Sequence, residues 1–147
     1  MIGIDVVGIE GVEATFATLA EHIGDLFLVE AEVHAILTAG LATEYENGGQ
    51  GAGGWTPDLP ATVTEKERHG YGDRVLVATG ALESSYTDPS DANHVWTIGD
   101  GELDLSSGLD YAQYQQDRGR DPAPLAPDVE AEVVAAVRSL LVERVMA

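Results

Sequence analysis

Two segments near the ends of the chain repeat apolar residues at spacings of three and four, which is typical of helices with one buried face. The apolar positions of the first segment are Leu26, Val29, Val33, Ile36, Leu37 and Leu41. Those of the second are Val129, Val133, Val137, Leu140 and Leu141. Pro127 stands where a first helical residue is tolerated. We therefore predict a helix that ends near Asn47 and a final helix of about 18 residues from Pro127.

Upstream of these segments, residues 3–10 are β-branched and partly alternating, which predicts a short strand. The helical spacing also extends backwards through Val12, Phe16, Leu19 and Ile23, with Gly24 as a point of division. The chain should therefore open with a strand and continue into helix.

The middle of the chain is less regular. Residues 47–73 are rich in glycine and proline, and we predict that they form a flexible connection containing a short helix over 62–68. Strands are predicted over 82–87 and 94–98, joined by a hairpin, followed by a polar loop over 100–108 and a helical turn over 109–116. Together these elements predict one α+β domain over residues 1–147, in which a small, mainly antiparallel sheet packs against the long N-terminal and C-terminal helices.

Charge limits the partners of the chain. It has 26 acidic and 7 basic residues, a formal net charge of -19, and neither Lys nor Arg within residues 1–65. Such a surface repels phosphate, so binding to nucleic acid is disfavoured. The simplest interpretation of the acidity is solubility.

Targeting and redox signals are few. The sequence has no apolar run of membrane-spanning length, and residues 1–5 lack the basic start of a signal peptide. There are no cysteines, which excludes disulfides and thiolate chemistry. We expect a soluble protein that is made in the cytoplasm and does not bind membranes.

The motifs that suggest chemistry are weak. The glycines of 48–54 follow a helix and no lysine closes the run, so they do not form a phosphate loop. Glu30 and His34 are one helical turn apart, but a closed zinc site needs about four ligands. The acids of 100–104 lack the remaining ligands of a calcium loop, and Ser84 and Ser85 lie outside a nucleophile elbow. The sequence therefore predicts no enzyme, no catalytic residue, no cofactor and no metal.

Three ordered segments resemble the phage virion-morphogenesis and tail-completion family, which includes neck and head-tail joining proteins. The first is Trp55-Thr56-Pro57 followed by the stretch Thr62–Lys66, and the second is Leu76–Ser85, with the pattern Leu-x-x-Thr-Gly-x-Leu-x-x-Ser. The third runs from Ile98-Gly99 through Tyr111–Gln116 to a proline-rich approach, Pro122–Pro127. The family often carries a Pro-Ala-Arg-Pro-Phe-like motif before its last helix, and this chain lacks it.

The resemblance implies a structural virion protein of a tailed bacteriophage, located in the neck. It would form a cyclic ring, expected to be a hexamer or a multiple of one, that completes the tail or joins it to the head. Its neighbours would be head-closure or connector proteins and tail-tube or tail-terminator proteins, and DNA would pass through the ring without specific binding. The implied interface residues are Trp55, Thr79, Gly80, Leu82, Tyr111, Tyr114 and Gln115.

Two other interpretations stay open at this point. Trp55 fits equally well as a core side chain, and Thr79-Gly80 as a simple turn with Leu82 buried behind it. The chain as a whole also fits a non-viral soluble adaptor or a small-ligand binding module that uses Tyr111 and Tyr114. That alternative predicts a monomer.

Overall fold

The computed structural model describes residues 2–5, 26–99 and 102–146. Within them, the helices are α1 (Leu26–Asn47), α2 (Pro60–His69), α3 (Ala81–Thr87), α4 (Asp110–Asp117) and α5 (Pro127–Met146). The strands are β1 (Ile2–Asp5), β2 (His94–Gly99) and β3 (Glu102–Ser107). The predicted α+β class is confirmed. Three predictions lie outside the described residues: the helix over 12–23, its division at Gly24 and the continuation of the first strand beyond Asp5.

Helix α1 is the centre of the fold. Its buried side chains recur every four residues, at Val29, Val33, Leu37, Leu41 and Tyr45. Each fully buried side chain of this kind stabilises the fold by roughly 1.5–3 kcal/mol. This stripe packs against α5, whose Val133 and Val137 are buried, and against α3. The predicted ends of both long helices, near Asn47 and at Pro127, are confirmed.

The sheet is antiparallel and has the order β1-β3-β2. Leu103 and Leu105 of the central strand β3 are buried, and Leu105 pairs with Trp96 of β2. Helix α3 packs against both β2 and β3, which joins the sheet to the helical layer.

Two predictions for the middle of the chain are wrong. Residues 82–87 form helix α3, not a strand, because Leu82, Ser85 and Tyr86 face the core with helical spacing. The predicted polar loop over 100–108 contains strand β3, since Leu103 and Leu105 alternate with polar residues and the sheet buries them. The hairpin therefore joins β2 to β3, whereas the predicted partner of β2 was the segment that forms α3.

The glycine-rich stretch 48–54, predicted to be flexible, has a defined hydrogen-bonded conformation. The Gly49 amide donates to the Glu44 carbonyl at 2.8 Å, and the Trp55 amide donates to the Gly48 carbonyl at 2.9 Å. At Gly49, where φ is 78°, an added Cβ would lie 2.9 Å from the Trp55 ring. The indole therefore packs directly on glycine backbone, an intramolecular contact within a stretch that was predicted to be flexible.

Candidate functional site

One open cleft collects residues from four separate parts of the chain. Its volume is about 490 Å³. It lies between α2, the turn before α3, helix α4 and the segment that follows α4. Six of the seven predicted interface residues line it, namely Thr79, Gly80, Leu82, Tyr111, Tyr114 and Gln115. We call it the tyrosine cleft.

Helix α4 presents its aromatic residues to the cleft because Tyr111, Tyr114 and Gln115 are spaced three and four apart and share one face. Tyr111 is 42% exposed and Tyr114 is 53% exposed. The Arg118 guanidinium lies 5.4 Å from the centre of the Tyr114 ring and donates a hydrogen bond to its hydroxyl at 2.8 Å. These rings thus offer apolar surface and polar tips to a partner.

The opposite wall carries backbone strain. Leu76 has φ of 62°, a left-handed conformation that is uncommon for a bulky residue. Gly80 has φ of 84° immediately before α3, where glycine is tolerated without strain. Leu76 lines the cleft together with Val77, which is buried. Strained residues of this kind cluster at binding and catalytic sites. Gly80 adopts a positive φ without strain because it has no side chain, whereas Leu76 adopts it with strain.

A largely buried ion cluster lines part of the tyrosine cleft. Asp58 accepts from the Lys66 ammonium at 2.9 Å and from the Arg120 guanidinium at 3.1 Å. Lys66 also donates to the Arg74 carbonyl, and Arg120 donates to the Pro57 carbonyl at 2.9 Å. Two cations therefore share one carboxylate, an arrangement that pattern analysis could not find because Arg120 lies 62 residues from Asp58 in sequence.

Trp55 lies away from the cleft. It is 9% exposed, its ring meets Tyr45 edge-on at 5.0 Å, and its indole N–H donates to the Asp121 carbonyl at 2.8 Å. The Tyr45 hydroxyl donates to the Pro122 carbonyl at 2.8 Å, and burial raises the Tyr45 pKa, so the hydroxyl stays a donor. Trp55 and Tyr45 together anchor the segment before α5 to the end of α1, which is the core role left open for Trp55 in the sequence.

A second polar cluster joins α1 to β2. The Nε2 atoms of His34 and His94 are 2.7 Å apart, and the His34 ring stacks on Trp96 at 4.5 Å. Trp96 in turn donates its indole N–H to the Glu30 carboxylate. The His94 Nδ1 lies 2.9 Å from the Ser85 carbonyl, which can only accept, so Nδ1 carries a hydrogen. When His94 is neutral, its Nε2 must therefore accept from the His34 Nε2–H.

The serines and histidines of this cluster are not arranged for nucleophilic catalysis. Ser85 is fully buried, and its hydroxyl donates to the Leu82 carbonyl at 2.7 Å while accepting from Ser107 at 2.8 Å. The His94 ring meets the Ser85 carbonyl and not its hydroxyl, so no base faces a nucleophile. Within residues 2–5, 26–99 and 102–146, no group of three or more His, Cys, Asp or Glu side chains is placed to hold a metal ion.

Glu44 is a buried acid that the sequence does not single out. It is 3% exposed, and its Oε2 has no hydrogen-bond partner among the residues that the structure describes. A Cβ added at Gly51 would collide with the Glu44 Oε1, so the carboxylate approaches the glycine backbone closely.

The comparisons with known proteins find no match: no family model, no curated protein and no solved structure resembles the chain significantly. Among the helices of the described part of the chain, none is long and apolar enough to cross a membrane. The molecule is thus a small α+β domain with an open, tyrosine-walled cleft.

Proposed function

We propose that the chain is a structural subunit of a tailed-phage virion, which forms a ring in the neck that completes the tail or joins it to the head. The observation that supports this most is the composition of the tyrosine cleft. Its lining takes residues from all three motif segments on which the family resemblance depends: Thr62–Lys66, Leu76–Ser85 and Tyr111–Gln116. The three motif segments lie far apart in sequence. Their meeting in one cleft is expected if they serve together as one binding surface.

The surface chemistry also favours assembly over catalysis. Exposed tyrosines beside apolar lining residues are typical of protein interfaces, where aromatic side chains contribute much of the binding energy. The net charge of -19 means that a ring of such subunits would repel a DNA duplex in its channel. This supports a role in which DNA passes through the ring without specific binding, between connector proteins on the head side and tube or terminator proteins on the tail side.

The proposal is tested on virions of the phage or prophage that encodes the chain. We expect mass spectrometry to detect the chain in purified particles and cryo-electron microscopy to place a ring of copies at the neck. Inactivation of its reading frame should leave filled heads and separate tails that do not join. Complete particles that lack the chain would overturn the proposed function.

A second candidate function is a small-ligand binding module, and the volume of the cleft is the observation that favours it. At about 490 Å³, the cleft falls within the roughly 300–1,000 Å³ of ligand pockets. This function predicts a monomer whose thermal stability rises with ligand, and Tyr111→Ala would abolish that rise. A chain that is found in the neck of the virion would argue against it.

A further inference from the structure

The tyrosine cleft is locally positive in a strongly acidic molecule. Of the 7 basic residues in the chain, Lys66 and Arg120 line the cleft, and Asp58 is the one acid among the lining residues that belong to the described part of the chain. The described lining residues therefore carry one net positive charge, whereas the whole chain carries -19. Arg118 adds a further cation at the rim, where it sits on the Tyr114 ring.

This positive charge is held in place and only partly shielded. The Lys66 side chain is 10% exposed and the Arg120 side chain is 20% exposed, and both are fixed by hydrogen bonds to Asp58 and to backbone carbonyls. A fixed charge in a partly desolvated cleft acts more strongly on an incoming carboxylate than a charge on the open surface does. The polar end of the cleft thus selects for an acidic group, while Tyr111 and Tyr114 offer apolar contact beside it.

The first turns of α5 carry a surface of the complementary kind. Asp128, Glu130 and Glu132 are exposed and have no basic residue between them. Two copies of a chain with a charge of -19 repel each other over most of their surfaces, so association is favoured only where a positive patch meets a negative one.

We propose that the tyrosine cleft binds the acidic start of α5 from a second copy of the chain. The contact joins two different patches, so it is heterologous and repeats from subunit to subunit, as a closed ring requires. The inference rests on the proposed function for the ring itself, and it names the two surfaces that meet within it.

The experiment uses two complementary variants of the full chain. Tyr111→Ala/Tyr114→Ala removes exposed side chains from the cleft, and Glu130→Lys/Glu132→Lys reverses charges on the exposed face of α5, so neither disturbs the core. Sedimentation velocity of each variant alone should show self-association weakened by roughly tenfold or more relative to wild type. Mixed together, they should form a 1:1 complex that does not grow, because only one intact cleft and one intact acidic face remain.

The matched control is Leu59→Ala, which removes an exposed apolar side chain that does not line the cleft. It should leave association unchanged. Any one of three results would overturn the inference. Either double variant could assemble as the wild type does, the mixture could fail to form the 1:1 complex, or the wild type could stay monomeric at the highest soluble concentration. The virion experiment does not depend on the cleft, so a chain that is present in the neck but assembles through other surfaces refutes this contact alone.

Discussion

The imidazole of His34 is partly buried where α1 meets β2, and this burial has the largest effect on its pKa. Burial and the neighbouring His94 both lower the pKa of His34 below its ordinary value of 6.5, and the Glu30 carboxylate opposes them. The unfolded chain therefore binds a proton at His34 more readily than the folded chain does. Stability from this residue is complete above the unfolded pKa and is lost as the pH falls towards the folded pKa.

We predict that acidification from about pH 7.5 to about pH 5 destabilises the wild type more steeply than His34→Gln, because glutamine can still donate to His94 but does not titrate. Urea denaturation at a series of pH values measures the slope. The control is His69→Gln, since His69 is exposed and lies outside this cluster. An identical pH dependence in His34→Gln and wild type would contradict the assignment.

At the scale of elements, sequence pattern predicted the two long helices and several short elements but assigned α3 and β3 wrongly. Helices α1 and α5 repeat their apolar residues over several turns, so the period is unambiguous. In α3 the buried Leu82 and Tyr86 are four residues apart, a spacing that fits both a helix and an alternating strand. In β3 the alternation of Leu103 and Leu105 was present, but the acids around it suggested a loop. Only tertiary burial separates these alternatives.

The approach of α5 to α1 depends on Gly40. A Cβ at this position would lie 2.7 Å from a methyl group of Val129. We predict that Gly40→Ala destabilises the fold. Overpacking alone costs about 1–3 kcal/mol, and it outweighs the gain of about 1 kcal/mol in helix propensity. Thermal denaturation of Gly40→Ala, Val129→Ala and the double variant measures the coupling. Additive effects of the two substitutions would show that the residues do not press on each other.

At the scale of the whole molecule, the resemblance named six of the thirteen described residues that line the cleft, but not their arrangement. Thr79, Gly80, Leu82, Tyr111, Tyr114 and Gln115 meet because the chain returns α4 to the turn before α3. The pairing of Asp58 with Lys66 and Arg120 depends on the same folding, since Asp58 and Arg120 are separated by 62 residues. Residue type alone does not specify such long-range neighbours, and it also could not decide between the core and interface interpretations of Trp55.

Net charge governs how copies of the molecule approach one another. At -19 per chain, long-range repulsion between copies acts across the roughly 30 Å Debye length of 0.01 M salt, and it is screened to about 8 Å at 0.15 M. Contacts within a desolvated cleft are screened much less. We therefore predict that self-association of the wild type strengthens as salt rises over this range, by roughly an order of magnitude or more. Light scattering at fixed protein concentration measures it, with sucrose of equal osmolality as the control. If association weakened with salt, the attraction between the cleft and its acidic partner would outweigh the repulsion of the whole chain.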